Sequence, residues 1–447
     1  MHPIPVEFSE RIQRQFPAEA EAFLAALDNA PVSSVRVNSS KPVALFPDAT
    51  SIPWNVEGYL LDNRPRYTLD PLFHAGCYYP QESSSMVLQW VLRHVVPNDI
   101  VVDALDLCAA PGGKSLIIAD FLRSQGRLIS NEIVRSRAHV LNEVVTKWGC
   151  KNVAVTNNRP ADFAESGMQF DLVVIDAPCS GEGMFRKDPQ ARLEWNTSSA
   201  GMCSKRQVEI LNDVLPALRE NGILIYSTCT FAKEENEEII ASLINTGEFE
   251  TLHWPVPPEW NVSLINENGI YAMRFLPHRN SGEGFFISAL RKTVSDTPKR
   301  SKPKNVFSSP ERGDFGILRN WGIDENKCVL APDGELYQTV FDKQELNALA
   351  GSLYFLRPGV HIGKVVRGEL IPAHALALTT HLLEGNEPIE LDHTMALAYL
   401  RGDAICVDAP NGWQRVAFQT QVLGWIKVIG SRINNYYPKE WRVKLKE

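Results

Sequence analysis

Two cysteines lie in short motifs that favour covalent chemistry. Cys179 belongs to "DAPCSGEGMFRKDP" (176–189), and Cys229 belongs to "YSTCTF" (226–231). The thiolate form of cysteine is a strong nucleophile, and a covalent intermediate divides one difficult reaction step into two easier ones. At a shared site, one sulfur attacks while the other assists release, and the spacing leaves both assignments open. The alternative is that both are buried structural thiols.

The elements around these cysteines alternate between strand and helix. From residue 101, the strand candidates are "VVDALDLC", "RLISN", "NVAVT", "DLVVID", "GILIYSTC" and "GEGFFISAL". Amphipathic stretches such as "GKSLIIADFLRS" and "KRQVEILNDVLPALRE" separate them. Strict alternation predicts a doubly wound α/β domain, with a parallel sheet covered on both faces. Both cysteines then lie at carboxyl ends of strands, the edge where open α/β sheets bind ligands.

Composition shifts divide the chain into further regions. An N-terminal α+β region precedes the α/β domain, and a segment rich in Pro, Lys and Ser follows it as a linker. Beyond the linker we predict β-rich structure with a helix around 372–384, and then a small barrel or sandwich containing "AICVDA" and "QVLGWIKVI". The predicted boundaries are 1–92, 93–293, a linker at 294–306, 307–385 and 386–447.

Bulk composition excludes several protein classes. The 447 residues are 44% hydrophobic, which suits a globular protein of several domains. The eight cysteines form no CxxC pair, which argues against a zinc site or a disulfide framework. No run of apolar residues is long enough to span a membrane, and the first residues do not resemble a signal peptide. We therefore expect a cytoplasmic protein without metal.

Charge is distributed unevenly along the chain. The formal net charge is −8, yet residues 291–304 carry six Lys or Arg against one Asp, and residues 427–447 carry six against two acidic residues. Taken singly, each run is typical of a solvated linker or tail. Two such runs in an acidic chain favour contact with a nucleic-acid phosphate backbone.

The first predicted strand leads into a glycine-rich loop. "DLCAAPGGKS" (106–115) lets the backbone turn tightly and approach a ligand, while the N–H groups of the next helix attract an anion. The spacing matches neither GxGxxG nor the Walker loop, so NAD and ATP are disfavoured. The candidate cofactor residues of the loop are Cys108, Ala109, Ala110, Pro111, Gly112, Gly113 and Lys114.

Polar residues at later strand ends complete the candidate site. Glu132 ends the second strand, where a carboxylate accepts hydrogen bonds from ribose hydroxyls, although it could instead stabilise the start of the next helix. Asn158 or Asp162 follows the third strand, where an adenine amino group would lie. Asp176 ends the fourth strand and either contacts a ligand or caps the following turn. Lys114 pairs with a ligand carboxylate or stays solvated.

Four motifs carry a resemblance to a known family. "GCYYPQESSSM", "LDLCAAPGGK", "DAPCSGEGMFRKDP" and "YSTCTFAKEENEEII" resemble, in order, those of the nucleolar-protein/Sun family of RNA cytosine-C5 methyltransferases. This likeness covers about 75–290 and implies a Rossmann-like domain that binds S-adenosylmethionine. The ending "GWIKVIGSRINNYYPKEWR" resembles that of a subgroup acting on small-subunit ribosomal RNA. It implies an RNA-binding barrel of the pseudouridine-synthase-and-archaeosine-transglycosylase type.

The same resemblance assigns roles to the site residues. Cys229 is the expected nucleophile toward cytosine, and Cys179 the residue that aids breakdown of the covalent adduct. Independently of the resemblance, the position of Asp176 at a strand end favours a hydrogen bond to the cytosine ring that stabilises the developing charge, a task that Lys114 can share, and Asp176 is also a cofactor candidate. The expected partner is small-subunit (16S) rRNA or the ribosomal subunit, bound by a monomer. The alternatives are a tRNA cytosine-C5 methyltransferase and a non-catalytic ribosome-assembly factor.

The target base must leave its stack to reach such a pocket, so further residues are candidates for holding the RNA. Arg186 and Lys187 could grip phosphates, or could form a solvated surface pair. Three aromatic residues could stack on bases, although aromatic residues beside a sheet usually belong to a core. They are Phe185, Trp195 and Phe285.

Overall fold

The N-terminal region combines two helices with a small antiparallel sheet. The computed structural model describes residues 2–97, 101–123, 126–296, 302–379 and 387–445. Phe8 and Ile12, one helical turn apart, are fully buried, and burial of each such side chain stabilises the fold by about 2 kcal/mol. The elements are α1 (Val6–Gln15), α2 (Ala20–Ala26), β1 (Ser33–Val37), β2 (Thr50–Ile52), β3 (Asn55–Leu61), α3 (Pro71–His74), β4 (Tyr78–Pro80) and α4 (Leu88–Val95). The sheet order is β2-β3-β1-β4.

The central region alternates strands and helices, as its apolar periodicity predicts. Its elements are β5 (Val102–Asp106), α5 (Gly113–Leu122), β6 (Gly126–Asn131), α6 (Arg135–Trp148), β7 (Val153–Thr156), α7 (Pro160–Ser166), β8 (Phe170–Asp176), α8 (Gln190–Glu194), α9 (Ser199–Val214), β9 (Leu218–Thr228), α10 (Glu237–Asn245), β10 (Phe249–Thr251), β11 (Ser263–Glu267), β12 (Ile270–Phe275) and β13 (Phe285–Lys292).

The C-terminal region forms two more four-stranded sheets, β14-β15-β17-β18 and β19-β20-β21-β22. Its elements are α11 (Phe315–Asn320), β14 (Cys328–Leu330), β15 (Leu336–Thr339), α12 (Lys343–Leu349), β16 (Phe355–Arg357), β17 (Gly359–Val366), β18 (Glu369–Pro372), α13 (His374–Leu378), β19 (Ile389–Glu390), α14 (His393–Arg401), β20 (Gly412–Phe418), β21 (Gln421–Ile429) and β22 (Arg432–Asn435).

In this region one predicted strand is absent, and one predicted helix lies only partly within the described residues. The apolar run "AICVDA" (404–409) forms no strand, and the last sheet is built from the segments after it. The helix expected around 372–384 is observed as α13, and residues 380–386 lie outside the described residues. Residues 297–301 of the predicted linker also lie outside them. The domain boundaries stay a prediction.

The large sheet is mixed rather than wholly parallel, which corrects one expectation. Its order is β11-β12-β13-β9-β8-β5-β6-β7-β16, with β10 paired to β13. The five strands from β7 to β9 in this order are parallel, whereas β13, the predicted strand "GEGFFISAL", runs antiparallel to β9. Strands β11, β12 and β13 pair in sequence as an antiparallel extension of the parallel strands.

Helices cover both faces of this sheet, so the doubly wound architecture is confirmed. In β8, Leu172 and Val174 join the core formed with α4, α5 and α6, whereas Val173 and Ile175 join the core formed with α7, α9 and α10. Strands buried on both faces read as continuous apolar runs, which is why "DLVVID" shows no alternation.

The first and last sheets of the chain share one hydrophobic core. Val35 and Tyr78 from the N-terminal sheet pack in a cluster with Leu397, Tyr399 and Tyr437 from the C-terminal region. Strand β16 also crosses over and pairs with β7 at the edge of the central sheet. The central domain is therefore held on two sides by the C-terminal half of the chain.

Candidate active site

The two cysteines meet above the sheet because their strands are neighbours. Strands β8 and β9 are parallel, with Asp176 opposite Ser227. Cys179 and Cys229 follow these two strand ends, and their sulfur atoms lie 3.3 Å apart. The chain therefore brings two thiols from positions 50 residues apart into hydrogen-bonding contact.

The contact with Cys229 affects the protonation of Cys179. The hydrogen bond to Cys229, burial and the nearby Cys229 charge raise the pKa of Cys179 well above its usual value. The raised pKa favours the thiol form of Cys179, and either sulfur can be the donor of the hydrogen bond between them.

A lysine and an aspartate lie beside the sulfurs. The Nζ atom of Lys114 is 2.9 Å from Oδ2 of Asp176, and the Ser227 hydroxyl donates to Oδ1 of Asp176 over 2.9 Å. Burial lowers the pKa of Lys114, but the charges of Asp176, Cys229 and Asp106 outweigh burial and raise that pKa above its ordinary value. A permanent cation thus lies near the reactive thiol.

Lys114, Asp176 and Cys229 line an open cleft of about 250 Å³ at the carboxyl edge of the sheet, whereas Cys179 is not among its lining residues. Six of the seven predicted loop residues line it, the exception being Gly112. Phe285, one of the three predicted stacking residues, also lines the cleft, with Nζ of Lys114 5.1 Å from its ring centroid. The structure therefore joins the loop, Asp176 and Cys229 in one cavity.

The loop requires glycine where it turns into α5. Gly112 has φ = +129°, and a Cβ atom there would lie 2.9 Å from Cγ1 of Val144 on α6. A Cβ on Gly113 would lie 3.0 Å from Cδ of Gln81. Without side chains, the loop packs against α6 on one side and the N-terminal region on the other.

Asp106 is a candidate site residue that the sequence analysis missed. It ends β5, and its Oδ2 atom accepts a hydrogen bond from Ser115 over 2.6 Å. Its Oδ1 atom is buried and has no partner among the described residues. Burial raises the pKa of Asp106 to about 7. Its position at a strand end, directly before the glycine-rich loop, is the signal that could have identified it.

The predicted ribose and adenine contacts are engaged within the protein. Glu132 accepts the Val134 N–H over 2.9 Å and pairs with Arg137, which agrees with the alternative role at a helix start. Both polar atoms of the Asn158 amide contact the backbone of Tyr354, and Asp162 caps α7 with Arg159. Among the described residues, the cleft lining does not include Glu132, Asn158 or Asp162. Their ligand roles stay predictions.

The predicted phosphate grip at Arg186 is wrong. The Arg186 guanidinium is buried, pairs with Glu283 at 3.1 Å and donates to the Gly282 carbonyl. A side chain committed to these partners is unavailable to a phosphate. Lys187 is exposed and lines the cleft.

Two of the predicted stacking residues belong to a hydrophobic core instead. The Phe185 ring is fully buried, with its centroid 4.9 Å from that of Phe8. Trp195 packs on the same cluster and donates to Glu182 over 2.9 Å. Both rings therefore attach α1 and α2 to the central domain.

The described residues contain no group of three or more His, Cys, Asp or Glu side chains able to hold a metal ion. Within the same part of the chain, no helix has the length and apolar character needed to cross a membrane.

Three family models match the chain. Residues 94–291 match the 16S rRNA methyltransferase RsmB/F model, 4–83 the N-terminal domain of 16S rRNA methyltransferase RsmF, and 386–443 the methyltransferase RsmF PUA domain. Ribosomal RNA small subunit methyltransferase F of Serratia proteamaculans is 30% identical over 98% of this chain and 96% of its own. The Shigella boydii relative is 32% identical, over 94% and 92%. The chain belongs to the small subunit methyltransferase F family.

This membership confirms the predicted family and enzyme class. A methyltransferase homolog protein from Pyrococcus horikoshii is 26% identical, with a TM-score of 0.54 over 64% of this chain and 94% of that chain. NSun6 from the same organism, crystallised with SFG, is 22% identical, with a TM-score of 0.54 over 65% and 99% of the two chains. These likenesses agree with the predicted Rossmann-like methyltransferase fold.

Proposed function

We propose that this protein methylates carbon 5 of a cytosine in 16S rRNA, using S-adenosylmethionine and a covalent cysteine adduct. The observation that carries the proposal is the contact of Cys179 and Cys229, 3.3 Å apart, beside the Lys114–Asp176 pair. Carbon 5 of cytosine is a weak nucleophile, so the ring must be activated before it can accept a methyl group. A thiolate added at carbon 6 provides that activation.

In the first step, the Cys229 thiolate forms a bond to carbon 6, and the electrons of the C5=C6 double bond become available at carbon 5. The Lys114 ammonium compensates the negative charge that develops on the ring, and the Asp176 carboxylate accepts a hydrogen bond from the cytosine amino group. Their ion pair keeps both groups oriented before the base enters. When bound, S-adenosylmethionine supplies the methyl group, leaving S-adenosylhomocysteine as the C5–CH3 bond forms.

In the release step, Cys179 removes the proton from carbon 5. The C–H electrons restore the C5=C6 double bond, and the S–C6 bond breaks to return the Cys229 thiolate. While Cys229 is bonded to carbon 6, its sulfur carries no charge, which weakens two of the causes that raise the pKa of Cys179. Cys179 can then release its own proton to solvent and, as a thiolate, accept the proton from carbon 5.

The polar groups in and next to the cleft suit S-adenosylmethionine. The glycine-rich loop lines the cleft. Asp106 is buried two residues before Cys108 rather than in the cleft lining, and its orphaned Oδ1 atom offers an acceptor for an ammonium group. We infer that residues 108–114, with Asp106, hold the amino-acid end of the cofactor. Glu132 remains our candidate for the ribose, and Asn158 or Asp162 for the adenine.

Support for 16S rRNA comes from the family and the C-terminal region. The relatives are named ribosomal RNA small subunit methyltransferases, and residues 386–443 match a PUA domain model. The basic run at 427–447 offers partners for phosphates. We propose that the protein works in the cytoplasm as a monomer.

Methyl transfer is tested with tritiated S-adenosylmethionine, 16S rRNA, 30S subunits and tRNA, followed by bisulfite mapping. We expect 5-methylcytosine in 16S rRNA, either free or within the 30S subunit, and none in tRNA. Methylation confined to tRNA would overturn the proposed substrate, and absence of transfer to any cytosine would overturn the proposed activity.

Cysteine variants test the chemistry. Cys229→Ser should lower turnover roughly 10⁴-fold or more and leave no adduct on denaturing gels, because the nucleophile is lost. Cys179→Ser should trap the protein on RNA, because release is blocked. Cys406→Ser, at an exposed thiol, is the control and should behave like the unmodified protein. The reverse pattern for Cys179 and Cys229 would exchange the two roles.

A further inference from the structure

Two consecutive buried residues lie beneath the cysteine loops and take no part in the chemistry described above. Glu235 and Asn236 belong to "KEENEE" (233–238), just before α10, and both are fully buried. A charged run at the start of a helix usually faces solvent, so burial of these two side chains calls for specific partners.

Glu235 holds Ser180, the residue after Cys179, directly and is linked to Pro178, the residue before it, through Gln207. Its Oε2 atom accepts the Ser180 N–H over 2.9 Å, and its Oε1 atom accepts the Ser180 hydroxyl. Gln207, on α9, donates both to Oε2 of Glu235 over 3.0 Å and to the Pro178 carbonyl over 3.1 Å. The backbone therefore cannot shift Cys179 without breaking these bonds.

Asn236 holds the residues on either side of Cys229 in the same way. Its Oδ1 atom accepts the Thr228 hydroxyl over 2.5 Å, and its Nδ2 atom donates to the Thr230 carbonyl over 3.0 Å. The Thr228 side chain is itself fully buried, so water cannot replace this contact.

A third contact joins the two loops. The hydroxyl oxygens of Ser180 and Thr230 lie 2.8 Å apart, one residue beyond each cysteine. Two contacts therefore join the loops, one between the sulfurs of Cys179 and Cys229 and one between the hydroxyls of Ser180 and Thr230. The adjacent residues Glu235 and Asn236 hold the two loops through further hydrogen bonds.

We infer that Glu235 and Asn236 are a pair of positioning residues, with Glu235 fixing Cys179 for adduct release and Asn236 fixing Cys229 for adduct formation. This inference rests on the proposed function. Because misplacement of a reacting group by about 1 Å costs about 10²-fold in rate, loss of either side chain should slow mainly the step of its own cysteine.

Single-turnover measurements on the full-length protein with 16S rRNA test the inference, with adduct followed on denaturing gels and methylated product counted. Glu235→Gln keeps the size of the side chain but replaces one acceptor by a donor. It should form adduct at close to the normal rate and release it about 10- to 100-fold more slowly, so that adduct accumulates. Asn236→Ala should form adduct about 10- to 100-fold more slowly, without accumulation.

Matched controls lie on α10, the helix that directly follows Glu235 and Asn236. Glu238→Gln and Asn245→Ala change exposed residues of α10 and should alter neither step by more than about twofold. Should Glu235→Gln fail to fold in thermal unfolding, Ser180→Ala provides the same test, since it removes the hydroxyl shared by Glu235 and Thr230. Asn236→Asp, which keeps the acceptor and loses the donor, replaces Asn236→Ala in the same way.

The outcomes separate this inference from the proposed function. Equal slowing of both steps, normal rates in both variants, or the reverse assignment would overturn the inference while the unmodified protein still methylates cytosine. If the unmodified protein forms neither adduct nor product, the proposed function fails and the inference fails with it.

Discussion

At the scale of single residues, Asp106 makes stability depend on pH. Its buried carboxyl has a pKa of about 7 in the folded protein, against an ordinary value of 3.8. A raised pKa means that the folded state binds the proton more tightly than the unfolded state does. The stabilisation is therefore complete below the ordinary pKa and is lost as the pH rises to about 7.

We predict that Asp106→Asn removes this pH dependence. Between about pH 4 and pH 7, the free energy of unfolding of the unmodified protein should fall by roughly 3 kcal/mol relative to that of Asp106→Asn. Urea unfolding at a series of pH values measures the difference. The exposed Asp62→Asn substitution serves as the control, and parallel curves for Asp106→Asn and the unmodified protein would contradict the prediction.

Single residues also show how far the sequence was informative. Motif order singled out Cys179, Cys229, Asp176 and Lys114, and they lie together because the segments that carry them follow the neighbouring strands β5, β8 and β9. Arg186 was misassigned because its partner Glu283 lies 97 positions away, so no local pattern marks the ion pair. Long-range partners of this kind decide whether a charged side chain faces a ligand or a core.

At the scale of elements, helix α1 fixes the loop that follows Cys179. The Arg11 guanidinium lies 2.6 Å from a carboxylate oxygen of Glu182, which is fully buried. The other oxygen of Glu182 accepts the Trp195 indole N–H, and the Phe231 N–H donates to the carboxylate as well. One buried carboxylate therefore joins α1 to both cysteine-bearing segments.

We predict that Arg11→Leu lowers the free energy of unfolding by about 2 to 4 kcal/mol, because it leaves the Glu182 charge buried without its cation. Arg14 lies one turn further along α1, is 71% exposed, and its guanidinium is 4.0 Å from Glu10. Arg14→Leu should therefore change the free energy of unfolding by less than about 0.5 kcal/mol. Urea denaturation compares the two variants, and equal losses would contradict the role of the buried pair.

Element prediction succeeded where periodicity is local and failed where pairing is distant. The five parallel strands and their helices follow from the alternation of apolar runs. Strand β16, three residues long, joins the central sheet only because β7 offers a free edge some 200 positions earlier in the chain. The hydrogen bonds between Asn158 and Tyr354 join residues 196 positions apart, so no local sequence pattern could predict them.

At the scale of the whole molecule, buried histidines lie where the N-terminal and C-terminal regions meet. Burial lowers the pKa of His74 to about 4 and that of His374 to about 3. His74 accepts the Tyr437 hydroxyl at Nδ1 over 3.2 Å, while its Nε2–H donates to the Thr68 carbonyl. Both ring nitrogens of His374 are buried without a partner among the described residues.

We predict that this junction is sensitive to acid. A lowered pKa contributes stability above the ordinary value of 6.5, and that stability is lost as the pH falls toward the folded value. His374→Leu should therefore gain roughly 2 kcal/mol relative to the unmodified protein between about pH 6.5 and pH 4.5. Thermal unfolding with His393→Leu, an exposed control, measures this. A difference that does not vary with pH would contradict the prediction.

The shared core of the first and last sheets governs the order in which the chain can mature during synthesis. His74 and Tyr437 are 363 residues apart, and at about 5 to 20 residues per second a ribosome needs roughly 20 to 70 s to make the intervening chain. Throughout that interval the apolar side of the first sheet has no permanent cover. The core shared by the first and last sheets can therefore form only after the C-terminal region has been synthesised, so the first sheet completes its packing late.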